Sequence, residues 1–169
     1  MSIYQLRAPV VEDRSAIIAC LMMGLGISEI TAGLLVNRGI TDLKSAKAFL
    51  NPDLNQLHDP FLLKDMDKAA ARVRQAVLSG EKIVVYGDYD ADGITSSAVL
   101  FLYLKSLGAE ADVYIPSRQE EGYGLHIESL QTVLDQGASL VITVDCGISA
   151  VEEVRKFNRC MDIIITDHH

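Results

Sequence analysis

Lys82-Ile83-Val84-Val85-Tyr86-Gly87-Asp88-Tyr89-Asp90-Ala91-Asp92-Gly93 opens the second half of the chain, and its reading decides the fold. Ile83 to Tyr86 is a short apolar run of the kind that forms a strand buried on both faces. A glycine and three spaced aspartates follow, and apolar periodicity then predicts a helix from about Thr95 to Leu107 that stops at Gly108. The same alternation continues downstream. Asp112 to Ile115 is the next strand, and a loop from Pro116 to Gly124 leads to a helix over Ile127–Asp135, ended by Gly137. A strand over Leu140–Val144, a helix over about Ala150–Phe157 and a strand over Asp162–Ile165 complete the series. Strands and helices in alternation predict an α/β fold, a mainly parallel sheet with helices on both faces joined by right-handed crossovers.

Upstream, the pattern is helical. Arg14–Met23, Ser28–Asn37 and Asp42–Leu50 carry apolar residues at helical spacing, with Ser28 and Asp42 as N-caps and Gly39 as a stop. Residues 51–60 read as an irregular connector, and Lys64–Leu78 as a further helix closed by Ser79-Gly80. The expected organisation is a small helical region over residues 1–62, without chemistry of its own, followed by an α/β domain over residues 63–169.

Composition narrows the function. At 169 residues, 49% hydrophobic and 22% charged, the chain can bury a sizeable core and is not disordered. The longest apolar run, Ala16 to Ile27, is too short to span a bilayer. Glu12 and Asp13 stand where a signal peptide would be cationic. Cys20, Cys146 and Cys160 share no metal-ligand spacing and fit reduced thiols, so a cytoplasmic location without a membrane partner is expected. The net charge of −8 is uneven: residues 1–80 hold 9 Lys and Arg against 8 Asp and Glu, whereas residues 81–169 hold 6 against 15. The second half is therefore a poor polyanion surface by itself, but one rich in carboxylates for divalent cations.

Three strands run into ionisable residues: Asp88, Asp90 and Asp92 after the first, Asp145-Cys146-Gly147 after the third, and Asp167-His168-His169 after the fourth. The carboxyl ends of parallel strands lie on one edge of a sheet, where ligands bind. Asp88, Asp90, Asp92, Asp145, His168 and His169 should therefore converge. One acidic turn alone is usually a solvated loop, and a single histidine is more often structural. Three clusters at equivalent topological positions argue for chemistry. An EF-hand reading of the Asp-x-Asp-x-Asp-Gly run fails, because the twelfth position from Asp88 is Val99 and the run follows a strand. Carboxylate oxygens with imidazole nitrogen suit Mn²⁺ or Mg²⁺, Mn²⁺ being favoured by the histidine. So many carboxylates in one place need about two ions for neutralisation. If His168 and His169 point to opposite faces, as neighbours on a strand do, one binds metal and the other reaches the phosphate or a carboxylate behind the metal ligands.

Gly87-Asp88-Tyr89-Asp90-Ala91-Asp92-Gly93, Val144-Asp145-Cys146-Gly147 and Asp167-His168-His169 resemble the first three motifs of the DHH phosphoesterase superfamily. Asn37-Arg38-Gly39-Ile40, Asp59-Pro60 with Asp65-Met66, and Glu121-Gly122-Tyr123-Gly124-Leu125 extend the likeness to its bacterial single-strand-specific 5′→3′ DNA exonucleases. The resemblance implies that Asp90, Asp92, Asp145 and His168 hold metal and that Asp88 belongs to the same site. It also implies that His169 acts beside the ions on the scissile phosphate, with Asp167 supporting the histidine pair. By the same likeness the partner is single-stranded DNA, with other repair proteins, in DNA repair and recombination. Superfamily members continue past the histidine pair to a fourth-motif aspartate and a substrate-gripping domain. The expectation is accordingly of an N-terminal fragment with an incomplete DHH domain, inactive alone. A small-substrate phosphoesterase (a pyrophosphatase, or an oligonucleotide or cyclic-dinucleotide hydrolase) and a non-catalytic scaffold are the alternatives.

Arg118 could contact phosphate or be a solvated loop residue, and Tyr123 could stack on a base or fill a tight turn. Thr95 and Ser96 could favour an anion at the helix start or merely cap it. Cys146 reads as a small buried residue, and His58 and His126 as structural or exposed.

Overall fold

Side chains alternate across a strand, so a sheet between two helical layers needs strands apolar on both sides. Ile83, Val84, Val85 and Tyr86 meet that demand and are all buried. The computed structural model describes residues 13–117 and 124–169. Arg118 and Tyr123, and most of the Glu121–Leu125 stretch, lie outside the described residues.

The element order is α1 (Arg14–Leu25), α2 (Glu29–Asn37), α3 (Leu43–Leu50), α4 (Met66–Ser79), β1 (Ile83–Gly87), α5 (Ala91–Ser106), β2 (Ala111–Tyr114), α6 (Ile127–Asp135), β3 (Leu140–Val144), α7 (Val151–Phe157) and β4 (Asp162–Thr166). Two short 3₁₀ turns, Leu54–Gln56 and Pro60–Leu62, lie between α3 and α4. The chain divides into two units, the first ending at Asp59 and the second beginning at Pro60; the boundary expected from sequence was after residue 62.

In the first unit, α1, α2 and α3 enclose Leu21, Ala32, Leu35, Val36 and Ala46. Both predicted N-caps are formed. The Thr31 N–H donates to Ser28 Oγ (3.2 Å) and the Ser45 N–H to Asp42 Oδ1 (2.9 Å).

The second unit is a four-stranded sheet, entirely parallel, in the order β2-β1-β3-β4. Ile83, Val85, Leu140, Ile142 and Val144 face Ala76 of α4 and Leu104 of α5. Val84, Tyr86 and Val141 face Leu130 and Val133 of α6 and Phe157 of α7. The chain steps from β1 outward to β2, then back past β1 to β3. Right-handed crossovers in opposite directions place α5 on one face and α6 and α7 on the other. The step reverses between β1 and β3, the crevice where open parallel sheets bind ligands.

Two sequence expectations need correction. α5 starts at Ala91, four residues before the expected Thr95, because Asp90 caps it: the Gly93 N–H donates to Asp90 Oδ1 at 2.8 Å. Thr95 therefore sits inside the helix, its hydroxyl donating back to the Ala91 carbonyl at 2.7 Å rather than capping or meeting an anion. The second strand covers Ala111–Tyr114, one residue earlier than expected. Among the described residues no helix is long and apolar enough to cross a membrane.

Candidate metal centre

Strand register brings the three motifs level. Gly87 pairs with Val144, and Val144 with Thr166, so Asp88, Asp145 and Asp167 each stand one residue beyond the ends of three adjacent strands. Arg72 and Lys82 are engaged at the opposite edge. Arg72 bridges Glu81 and Asp162, and Lys82 lies 2.9 Å from Asp112. Among the described residues no lysine or arginine pairs with Asp88, Asp90 or Asp92.

The first motif is folded tightly by its glycines. A Cβ on Gly93 would come within 2.5 Å of the Asp88 carbonyl oxygen and 2.6 Å of its nitrogen. One on Gly87 would overlap Ser97 Oγ at 2.0 Å. The start of α5 can thus lie directly against the end of β1, which buries Asp88 to 1% exposure. Neither Asp88 oxygen makes a well-formed hydrogen bond among the described residues. Burial pushes this carboxyl above its ordinary range; the Asp90 and Asp145 charges add to the rise, while the Tyr89 N–H and His169 oppose it.

Asp145 adopts the left-handed conformation (φ 61°), uncommon for a residue with a side chain. Its N–H donates to the Thr166 carbonyl at 3.0 Å, and its Oδ1 lies 2.8 Å from His168 Nε2. Asp145, His168 and His169 each offer one ligand atom, and these atoms lie within 4.8 Å of one another.

β4 stops at Thr166, so the alternation expected to send His168 and His169 to opposite faces does not operate. Their rings stack instead, with centroids 4.4 Å apart. Asp167 holds the pair. Its Oδ1 accepts from the His168 N–H (2.7 Å) and the His169 N–H (3.1 Å) and lies 2.7 Å from His169 Nδ1; its Oδ2 accepts from the Ile148 N–H (3.0 Å). Burial alone would raise the Asp167 pKa, but the hydrogen bonds from Ile148, His169 and His168 outweigh it and hold the group at about 2. The bond to Asp167 in turn raises the pKa of His169.

The structure thus brings Asp145, His168 and His169 together, with Asp167 beneath them and the Asp88 and Asp90 charges close enough to act on the same groups. Asp92 is placed differently. It lies exposed in the first turn of α5 and shares no short contact with that cluster among the described residues. Cys146 is fully buried, and burial, reinforced by Asp88, Asp167 and Asp145, pushes its thiol up to about 12, so in the metal-free protein it is a neutral thiol. Sequence reasoning missed Thr143, whose Oγ1 donates to the Cys146 carbonyl at 2.8 Å. A hydroxyl in the otherwise apolar run Leu140–Val144 is the signal that could have found it.

A buried carboxylate without a well-formed hydrogen bond, beside two more carboxylates and two imidazoles, is a donor set that fits hard or borderline divalent cations. Such an ion would replace the solvation that Asp88 has lost.

Residues 82–169 match the DHH family, N-terminal domain. The chain is 46% identical over 146 residues to the single-stranded-DNA-specific exonuclease RecJ of Bacillus subtilis (strain 168), an alignment covering 86% of this chain and 19% of that protein. It is 44% identical over 108 residues to RecJ of Thermus thermophilus, covering 63% of this chain and 16% of that one. The crystal structure of RecJ in complex with Mn²⁺ from Thermus thermophilus matches 97% of this chain and 22% of its own, at a TM-score of 0.69 and 33% identity. A crystal structure of exonuclease RecJ bound to manganese matches 63% of this chain and 28% of its own, at a TM-score of 0.59 and 44% identity. The chain spans about a fifth of the length of the curated relatives it matches.

Proposed function

The chain belongs to the DHH family, and from that premise we propose that it forms part of a metal-dependent phosphodiesterase, a RecJ-like exonuclease degrading single-stranded DNA from the 5′ end in repair and recombination. The observation that carries the reading is the convergence of Asp145, His168 and His169 over the sheet edge, with the buried Asp88 beside them. Asp88, Asp90, Asp92, Asp145 and His168 are the residues that would hold about two Mn²⁺ or Mg²⁺ ions, Asp92 being the one that stands exposed and apart from the cluster in the first turn of α5. Bound, such ions polarise a phosphoryl oxygen and supply hydroxide at neutral pH.

The protein groups divide the remaining work. Asp167 fixes the His169 ring through Nδ1, which leaves Nε2 to donate to a phosphate oxygen. The raised pKa of His169 keeps that donor charged closer to neutral pH, where it offsets negative charge gathering on the phosphate. His168, held at Asp145, orients the carboxylate of the third strand. The acidic balance of residues 81–169 means that basic grip on the strand must come from elsewhere in a complete nuclease. The cytoplasm and an association with other repair proteins belong to the same reading.

Two measurements test it. Calorimetric titration of the chain with Mn²⁺ should show binding that Asp145→Ala removes. The protein as expressed from its own gene should release the label of 5′-labelled single-stranded DNA as a mononucleotide, progressively shorten 3′-labelled strands, and leave duplex DNA intact. Mn²⁺ binding unaffected by Asp145→Ala would sink the site, and hydrolysis confined to dinucleotides or pyrophosphate would sink the substrate.

A further inference from the structure

Beneath the metal centre, one buried hydroxyl joins two of its motifs. Thr143 is wholly buried, the last residue but one of β3, and points to the α6 and α7 side of the sheet with Val141. Its Oγ1 donates to the Cys146 carbonyl at 2.8 Å and accepts from the Thr166 N–H at 3.3 Å. The Thr166 hydroxyl returns the link by donating to the Thr143 carbonyl at 2.5 Å. The turn Asp145-Cys146-Gly147 therefore folds back onto Thr143. Gly147, at φ 105°, lies so close that a Cβ there would meet Thr143 Oγ1 at 3.4 Å and Ile165 Cδ1 at 3.1 Å.

That turn is where Asp145 holds its left-handed backbone, a conformation that costs free energy for a residue with a side chain and is stabilised here by the surrounding hydrogen bonds. The Cys146 carbonyl is the acceptor immediately after Asp145, and its tie to Thr143 pins this turn beside the Asp145 N–H bond to the Thr166 carbonyl and the Cys146 Sγ contact with the Tyr86 carbonyl. Released, Asp145 would relax toward an extended conformation, and its carboxylate would leave His168. On the other side, Thr166 immediately precedes Asp167-His168-His169, so the same hydroxyl also sets where the histidine pair begins.

We propose that Thr143 is a positioning residue of the metal centre, its hydroxyl setting the left-handed Asp145 turn that holds the Asp145 carboxylate against His168. The consequence for metal rests on the reading under Proposed function; the effect on the turn does not.

The test uses the whole chain with Thr143→Val, which keeps the shape and removes the hydroxyl, Thr143→Ala as a second hydroxyl-free form, and Thr143→Ser, which restores the donor. In metal-free protein, the Asp145 amide and His168 ring resonances should move in Thr143→Val and stay near wild type in Thr143→Ser. Mn²⁺ affinity should fall by about 10- to 100-fold in the hydroxyl-free forms, the range for losing a group that orients a metal ligand. If Thr143→Val loses its cooperative melt, Thr143→Ala carries the comparison. Unmoved Asp145 resonances in a folded hydroxyl-free variant would overturn the inference, as would Thr143→Ser behaving like Thr143→Val. Failure of both hydroxyl-free variants to fold would also overturn it, making Thr143 a determinant of the fold. If wild type binds no Mn²⁺ yet the Asp145 resonances still move in Thr143→Val, the control of the turn stands and the metal reading fails.

Discussion

His168 reaches from beyond the end of β4 to place Nε2 2.8 Å from Asp145 Oδ1 at the end of β3. The Asp145 side chain is 6% exposed and that of His168 71%, so a buried carboxylate is met by a ring open to solvent. An arrangement of this kind leaves the ring free to turn toward an ion without disturbing the core.

If both groups serve one ion, their contributions to binding are coupled. Asp145→Ala and His168→Ala should each weaken Mn²⁺ affinity by at least about tenfold, or roughly 1.4 kcal/mol. The double variant should be little worse than either single one, since residues sharing one partner do not act additively. Calorimetric titration of the four proteins checks this, and fully additive losses would mean that the two residues serve different sites.

Gly93→Ala should be among the most damaging single-methyl additions in the α/β unit. The new Cβ would press on the backbone of Asp88, which cannot swing aside as a side-chain tip can. Overpacking of this kind costs about 1–3 kcal/mol or more. Gly80→Ala has open space around it and meets only the strain of a left-handed position (φ 64°), about 1–2 kcal/mol. Urea unfolding should rank Gly93→Ala below Gly80→Ala in stability, and only Gly93→Ala should also weaken Mn²⁺ binding, because it moves Asp88.

Much of this arrangement is legible in the sequence because burial and chain-reversal leave local marks. The spans of α6 and β3 match those expected from apolar runs bounded by glycine, and Ser28 and Asp42 declare their helices through side-chain caps. Convergence of distant motifs follows from topology, since parallel strands must end on one edge. What the sequence conceals is conformation not encoded by local pattern. Asp90 reads equally well as loop or as helix cap, so the pattern does not mark the start of α5, and Asp92 belongs to that helix rather than to the loop before it. The left-handed Asp145 turn depends on Thr143 and Thr166, which come together only once β3 and β4 pair. The stacking of His168 on His169 depends on β4 ending at Thr166, a limit that the apolar run alone does not give.

Asp167 and His169 should give the metal-free protein a contribution to stability with a defined pH optimum. The Asp167 carboxyl is held at about 2, against 3.8 when unpaired. Its contribution is therefore present above about pH 4 and lost as pH falls through 2, worth about 2 kcal/mol. His169 is raised, so its contribution is present below its ordinary value of 6.5 and lost as pH rises through the elevated one. The combined contribution of this pair, read as the stability difference between wild type and Asp167→Asn, should peak between about pH 4 and 6.5. Urea unfolding of both proteins from acid to mild alkali should show this plateau in their difference. A difference that does not change with pH would assign the pH dependence to other groups.

Asp88 sets stability against function. Its folded pKa is raised, so the metal-free protein is favoured while the group is protonated and loses that advantage as pH climbs past the unfolded value of 3.8 and through the elevated one. At neutral pH it is a buried carboxylate without a well-formed hydrogen bond, an arrangement that costs about 1–3 kcal/mol. Asp88→Asn removes the charge while keeping the shape, and it should raise the melting temperature of the metal-free protein at pH 7. A cation bound beside Asp88 reverses the sign, because the ion stabilises the folded state in proportion to its affinity. Mn²⁺ should therefore raise the melting temperature of the wild type and have little effect on Asp88→Asn, so that the two melting curves exchange order as Mn²⁺ is added. Thermal melts with and without Mn²⁺ at pH 7 decide the matter. If Asp88→Asn is the less stable protein without metal, the buried carboxylate has a protein partner and does not await an ion.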